Sequence, residues 1–141
     1  MKEVVWEVFI ASAWDKDGLS THHWYLLKDG RRVKRWTTQG YESNRKKAIE
    51  ETMVRALRYI EKKGIVGATF YTSDRELCIS MNQAVDNPAT QSTNMKFITS
   101  KMYQYECEFI LVRENDKRIE LAYHYANQLM ETIKRRKGVS V

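Results

Sequence analysis

The sequence predicts one α/β domain spanning residues 1–141, with a mixed five-stranded sheet flanked by helices. Three strand-like segments come first and are joined by short turns, which predicts an antiparallel three-stranded meander. Two later apolar segments alternate with amphipathic ones, as expected for strands that join a sheet through helical crossovers. The expected order is therefore β-β-β-α-β-α-α-β-α.

The meander is predicted from β-branched and aromatic segments and from the two turns between them. The first turn is expected at residues 15–18, because Asp and Gly are common turn formers. Asp29-Gly30 separates the second strand from the third and favours a type I′ hairpin, in which both positions need a positive φ. The three expected strands are Val4–Trp14, Thr21–Lys28 and Arg31–Thr38.

The helices are predicted from apolar residues that recur at helical spacing. Ser43 is expected to cap the first helix and Gly64 to end it. An S-x-x-E capping box at Ser73 and Glu76 predicts a short helix that runs to about Asn82. The apolar stripe of the first helix consists of Ile49, Met53, Ala56, Leu57 and Ile60.

Two short strands and two more helices complete the predicted fold. The strands are expected at Gly67–Tyr71 and Tyr105–Arg113, and one helix at Thr93–Tyr103. Asn115 or Asp116 can cap the last helix through its side chain. The apolar stripe of that helix consists of Ile119, Ala122, Ala126, Leu129, Met130 and Ile133.

The chain is basic, with 24 Lys and Arg against 18 Asp and Glu, and its net charge is +6. Residues 1–70 carry 14 of the basic and 9 of the acidic side chains, so most of the excess lies in this half. A positive half favours a polyanionic partner, because neutralising phosphates releases counterions. A solvated face that keeps the chain in solution explains the charge equally well.

Targeting and redox features predict a cytoplasmic protein that does not contact a membrane. Cys78 and Cys107 lack CxxC spacing, so we expect them to be reduced core residues. The first residues do not resemble a signal peptide, and no apolar run approaches the roughly 18 residues that span a bilayer. With His22, His23 and His124, the cysteines are too few and too scattered to predict a zinc site.

Four short segments resemble the ribonuclease H family, of the ribonuclease HI type, across nearly the whole chain. Trp6–Ser12 resembles the first strand of the family, which ends in Asp-Gly-Ser, and residues 37–45 resemble its T-x-N-R entry into the first helix. Phe70–Asp74 is similar to the x-x-T-D-S at the end of its fourth strand, and Ile119–Ala122 to the D-E-L-A that opens its last helix. The resemblance implies a ribonuclease H-like mixed five-stranded sheet.

The resemblance also implies a catalytic site, in which four carboxylates hold two divalent metals that activate water at a phosphodiester. The first-strand aspartate of the family falls on Ala11, and its fourth-strand aspartate falls on Ser73. Its last aspartate falls on Ile119, and its first-helix glutamate falls near residues 47–49. The carboxylate set is therefore expected to be degenerate. The mobile-loop histidine of the family is also missing, because Arg113–Asp116 joins the last strand directly to the last helix.

Carboxylates beside these positions are candidate catalytic residues if the alignment slips. Asp74 is the best candidate for a metal ligand, since it follows a central strand at the edge where α/β sheets form their sites. An acid at that position also stabilises a helix N-terminus, and the other candidates can equally be solvated charges. The candidate set is Asp74, Glu50, Glu51, Asp116 and Glu120, with Mg²⁺ or Mn²⁺ as the metal if the chain is active.

Basic and aromatic residues at the hairpin and at the first helix are candidates for binding nucleic acid. Helix N-terminal amides favour a phosphate, and contacts of this kind position a duplex without reading its sequence. The alternative is that the charges protect an exposed sheet edge against aggregation. The candidates are Arg31, Arg32, Lys34, Arg35, Trp36, Asn44, Arg45, Lys46 and Lys47.

These observations leave three hypotheses for function. The first is a ribonuclease H-like domain that binds duplex nucleic acid or RNA–DNA hybrid without standard catalysis. The second is an active Mg²⁺- or Mn²⁺-dependent ribonuclease H with displaced carboxylates. The third is a protein-interaction or structural domain with a protein partner, which would be favoured if Trp14, Trp24 or Trp36 were exposed in one apolar patch.

Overall fold

The computed structural model describes residues 3–40, 45–87, 89 and 91–136. In these ranges the elements follow the order expected from the sequence. They are β1 (Trp6–Trp14), β2 (Ser20–Lys28), β3 (Arg31–Gly40), α1 (Arg45–Lys63), β4 (Thr69–Thr72), α2 (Arg75–Asp86), α3 (Thr93–Gln104), β5 (Glu108–Leu111) and α4 (Lys117–Arg136).

The five strands form one mixed sheet in the order β3-β2-β1-β4-β5. The pairs β1–β2 and β2–β3 are antiparallel, whereas β1–β4 and β4–β5 are parallel. Asp29 and Gly30 have φ values of 51° and 81°, and two positive φ values in succession are what a type I′ turn requires. The predicted fold class, a meander followed by two crossover strands, is confirmed.

Successive side chains of a strand point to opposite faces of the sheet, so the core has one part on each face. Val8 and Ile10 of β1 pack against residues of α1, α2 and α3. Phe9 and Ala11, which point the other way, pack with Ile119 of α4. The sheet therefore lies between a layer of three helices and a single long helix.

The structure differs from the sequence predictions mainly at element ends. The capping box at Ser73 and Glu76 is wrong by one residue, because Asp74 is the N-cap of α2 and its side chain accepts from the Leu77 amide at 2.8 Å. Gly64 ends α1 with a φ of 64°, as predicted. The predicted cap Ser43 lies outside the described residues.

The last strand is shorter than predicted because α3 and its terminal turn occupy the preceding residues. Tyr105 is the C-cap of α3, and the Cys107 amide still donates to the Met102 carbonyl at 2.8 Å. Pairing with β4 therefore starts at Glu108. Likewise α2 continues to Asp86 instead of ending near residue 82.

Both cysteines are free and partly buried. Burial raises the pKa of the Cys107 thiol to about 11, so this group is protonated at neutral pH. None of the helices in the described part of the chain is both long enough and apolar enough to cross a membrane.

Candidate functional site

Three positions that the family resemblance assigns to carboxylates come together where α4 packs against β1. Ala11 and Ile119 belong to one buried cluster with Phe9, Tyr25 and Ala122, which we call the α4 cluster. Ala11 is 4% exposed and Ile119 is fully buried. The space around Ala11 and Ile119 is therefore filled by the side chains of the α4 cluster.

Ser73 lies at the border of the α4 cluster and is held by a tyrosine. Its hydroxyl lies 2.9 Å from the hydroxyl of Tyr123, a residue of α4 that packs against the same cluster. Mg²⁺ requires several oxygen ligands, usually carboxylates and waters. Ala11 and Ile119 supply no such oxygen, and the single hydroxyl of Ser73 already has a partner, so these three positions do not fit a two-metal site.

Asp74, the leading candidate ligand, has a structural role in this fold. Its carboxylate caps α2 by accepting from Leu77, and its own amide donates to the Thr72 hydroxyl at 3.2 Å. A carboxylate at a helix N-terminus is stabilised by the unsatisfied amides and by the helix dipole. The position of Asp74 is therefore explained without a metal.

Glu50 and Glu51 lie on α1, where both line an open cleft of about 440 Å³ beside the N-terminus of α3. Glu50 is only 4% exposed, and burial raises the pKa of its carboxyl group, although Lys46 and the Ser92 hydroxyl lower it. Glu51 is exposed and also lines a smaller cleft beside β3. Neither glutamate is among the residues of the α4 cluster.

Asp116 and Glu120 lie at the start of α4. Asp116 accepts from the Arg118 amide at 2.9 Å and pairs with its guanidinium group, which also reaches Glu7 at 3.1 Å. Glu120 is exposed. In the described ranges, no three His, Cys, Asp or Glu side chains come close enough together to hold a metal ion.

The two strand histidines are buried and hydrogen-bonded to hydroxyl groups. The Nδ1 and Nε2 atoms of His22 lie 2.7 Å and 2.8 Å from the hydroxyls of Ser12 and Ser20. His23 Nδ1 lies 2.6 Å from the Thr37 hydroxyl. Burial lowers the pKa of each histidine to about 4, and the cations Arg35 and Arg32 contribute for His23. Both residues are neutral core histidines at pH 7.

The basic residues of β3 lie on an edge strand and are exposed, but they do not share one face. Arg32 and Arg35 point to the α4 side, where both lie over the ring of Tyr125. Lys34 points to the other side, with its Nζ 5.7 Å from the ring centroid of Tyr59. Within the described part of the chain, the β3 cations Arg31, Arg32, Lys34 and Arg35 form no salt bridge.

The second basic group lies at the N-terminus of α1. Arg45, Lys46 and Lys47 are exposed, and the Arg45 guanidinium lies 5.1 Å from the ring centroid of Trp14. Asn44 falls outside the described residues. The structure thus brings the predicted nucleic-acid-binding residues to two separate surfaces.

The tryptophans do not form the exposed apolar patch that would favour a protein-interaction domain. Trp24 is 3% exposed, and Trp14 and Trp36 are partly buried against the same core. The rings of Trp24 and Trp36 stack at 6.4 Å, and the Arg55 guanidinium lies 5.7 Å from the centroid of Trp36. Trp24 is therefore a core residue, and Trp14 and Trp36 pack at the edge of that core.

Sequence reasoning missed Tyr123 and Tyr125. Tyr123 follows Ile119 by four residues, so helical spacing places both on one face of the helix. This spacing could have predicted that Tyr123 lies beside the buried Ile119. The contacts of Tyr125 depend on an irregularity in β3 that no sequence pattern indicated.

The strand order and the distribution of helices define a ribonuclease H-like fold. The ribonuclease H1 of the halophilic archaeon Halobacterium salinarum NRC-1 matches with a TM-score of 0.69 at 13% identity, covering 90% of this chain and 98% of that chain. The N-terminal ribonuclease H domain of a Mycobacterium tuberculosis protein, solved as a maltose-binding-protein fusion, matches with a TM-score of 0.73 at 10% identity. That match covers 96% of this chain and 99% of the other.

A ribonuclease H1 isolated from compost by a metagenomic approach has the same fold. Its TM-score is 0.70 at 10% identity, with 92% of this chain and 97% of that chain covered. A structure of that enzyme in complex with an RNA/DNA hybrid matches with a TM-score of 0.62 at 11% identity, covering 89% and 99%. No protein-family model and no curated protein sequence matches the chain. At these identities the likeness establishes the fold alone.

Proposed function

We propose that this ribonuclease H-like domain binds duplex nucleic acid, with RNA–DNA hybrid as the preferred form, and does not catalyse two-metal hydrolysis. The observation that carries the proposal is the α4 cluster: Ala11 and Ile119, at two positions that the family resemblance assigns to carboxylates, are packed among buried side chains. Burying a metal among such groups has a large desolvation cost that neither of these two side chains offsets.

The cations of β3 and the exposed cations at the N-terminus of α1 support nucleic-acid binding. The β3 cations form no salt bridge to a described residue, so their donors stay available for phosphates. A basic surface of this kind binds a duplex through its backbone and not through its bases. The compost ribonuclease H1 with the same fold has been solved with an RNA/DNA hybrid, which makes hybrid the first ligand to test.

The test measures binding and cleavage of one fluorescent 12-base-pair RNA–DNA hybrid. We expect anisotropy to show binding that weakens steeply between 0.05 M and 0.2 M salt, since each phosphate contact releases counterions. We expect no strand cleavage in Mg²⁺ or Mn²⁺. Binding is expected to fall strongly in the variant that combines Arg31→Gln, Arg35→Gln, Arg45→Gln and Lys47→Gln.

The matched control is Lys62→Gln with Lys63→Gln, which removes two cations from the opposite end of α1. The control should bind as the wild type does. Undetectable binding at low salt, or equal loss in the control, would refute the nucleic-acid part. Metal-dependent cleavage that disappears in Asp74→Asn would refute the non-catalytic part.

A further inference from the structure

A β-bulge in β3 brings two arginines to one face of the sheet. Lys34 pairs with Leu26 and Arg32 pairs with Leu27, which leaves Val33 between them without a partner on β2. Residues three apart in a regular strand point to opposite faces, but an extra residue re-aims the side chains that follow it. Arg32 and Arg35 therefore both face α4.

Tyr125 of α4 orients both of these arginines. The Arg35 Cζ lies 4.0 Å from the centroid of the tyrosine ring, and the Arg32 Cζ lies 5.7 Å from it. Arg32 Nη1 donates to the Tyr125 hydroxyl at 2.7 Å. Stacking on an aromatic ring and a hydrogen bond restrict two side chains that are otherwise rich in rotamers, so less entropy is lost when they bind a ligand.

The surroundings of the pair leave its positive charge uncompensated. Neither arginine forms a salt bridge to another described residue, and both are exposed. Beneath them His23 is fully buried, with its ring 4.8 Å from that of Tyr125, and its Nε2 has no hydrogen-bond partner. Two oriented guanidinium groups without an acid present a planar set of donors that matches a phosphate.

We propose that Arg32 and Arg35, oriented by Tyr125, form a phosphate clamp that holds the backbone of the bound nucleic acid on the α4 side of the sheet. This proposal rests on the proposed function and names the β3 arginines that hold a backbone phosphate within it. The Arg45 guanidinium lies over Trp14, which is in register with Ser20 and, through it, with Gly40. Arg35 and Gly40 are about 17 Å apart along β3 at the usual rise per residue, so the clamp is separate from the N-terminus of α1.

The test compares the double variant Arg32→Gln/Arg35→Gln with wild type on the 12-base-pair hybrid. A clamp that neutralises one phosphate contributes about 0.9 to the salt slope, which corresponds to about eightfold weaker binding at 0.1 M salt when it is removed. Arg35→Lys keeps the charge but loses the planar fork, and we expect it to weaken binding as well.

The matched control is Arg58→Gln, which removes an exposed arginine that also lies over an aromatic ring, that of Phe97. It should leave affinity and salt slope unchanged. NMR signals of the Arg32 and Arg35 Nε–Hε groups should shift with micromolar hybrid. Saturation of these shifts by micromolar inorganic phosphate would assign the site to free phosphate and overturn the backbone clamp.

Two outcomes separate this proposal from the proposed function. If Arg32→Gln/Arg35→Gln binds as wild type does while Arg45→Gln/Lys46→Gln binds more weakly, the clamp is refuted and nucleic-acid binding stands. If the wild-type chain binds no hybrid even at 0.05 M salt, the proposed function and the clamp are both refuted.

Discussion

Lowering the pH from 7.5 to 5 will destabilise the folded chain through two buried histidines, His22 and His23. Burial lowers the pKa of each imidazole from 6.5 to about 4, so both stay neutral in the folded state and take up a proton on unfolding. The unfolded state then binds more protons at every pH between these values. Their contribution to stability is complete above about pH 6.5 and is lost as the pH falls towards 4.

The magnitude follows from the two pKa values. At pH 5 each histidine reduces the free energy of unfolding by about 2 kcal/mol, and the two together by about 4 kcal/mol. That is a large part of the roughly 5–15 kcal/mol that stabilises a typical domain. Glu50 has the opposite effect on stability as the pH falls. Burial raises the pKa of its carboxyl group, so the folded state takes up a proton there more readily than the unfolded state does.

The assay is urea unfolding at intervals between pH 7.5 and pH 5, followed by circular dichroism and analysed at constant m-value. His23→Gln should reduce the pH-dependent loss by about half, because one of the two titrating groups is gone. The comparison is made within each variant, so a lower starting stability does not affect it. His124→Gln, at an exposed position of α4, is the matched control.

A flat profile between pH 7.5 and pH 5 would refute this reasoning. So would a loss of the same size in His22→Gln, His23→Gln and wild type, since the proton uptake would then occur elsewhere.

Three further substitutions test the structural roles assigned above, each by urea unfolding at pH 7.5. Asp74→Ala should lower the free energy of unfolding by about 1 kcal/mol, whereas Asp74→Asn should change it by less than about 0.5 kcal/mol, because asparagine caps a helix as well as aspartate does. Equal losses would show that Asp74 does more than cap. Gly30→Ala should cost about 1–2 kcal/mol, because its φ is 81° and no atom crowds the added Cβ, so the cost is that of the backbone alone. Met53→Ala should lower the free energy of unfolding by about 2–5 kcal/mol, since this side chain is fully buried in the core between the sheet and the helices α1, α2 and α3. A loss below about 1 kcal/mol would contradict that packing.

The fold could be predicted from the sequence because its signals are local. The Asp29-Gly30 hairpin and the helical stripe that includes Ile119 each follow from the properties of a few neighbouring residues. The family resemblance added the expectation that Ala11, Ser73 and Ile119 would meet, and the structure brings Ala11 and Ile119 into one cluster with Ser73 at its border.

The grouping of the basic residues could not be predicted in the same way. Alternation in a regular strand would place Arg32 and Arg35 on opposite faces, and only the bulge at Val33 directs them to the same ring. Bulges are set by the pairing of two strands, so a single strand sequence does not reveal them. The predicted cap at Ser73 failed for a similar reason, because its hydroxyl has a partner, Tyr123, fifty residues away.

The α4 cluster and the proposed clamp are physically connected through the position of α4. Two hydrogen bonds from β2 hold this helix against the sheet. Tyr25 donates to the Arg118 carbonyl at 2.7 Å, and Thr21 donates to the Ala126 carbonyl at 2.5 Å. Between these contacts the apolar cluster needs no water or ion, so α4 can pack directly on the sheet. Tyr125 lies on the part of α4 between Arg118 and Ala126 that these hydrogen bonds hold in place. Its ring can orient an arginine only if the helix does not shift. The apolar packing of Ala11 against Ile119 thus also fixes the aromatic residue on which the clamp depends.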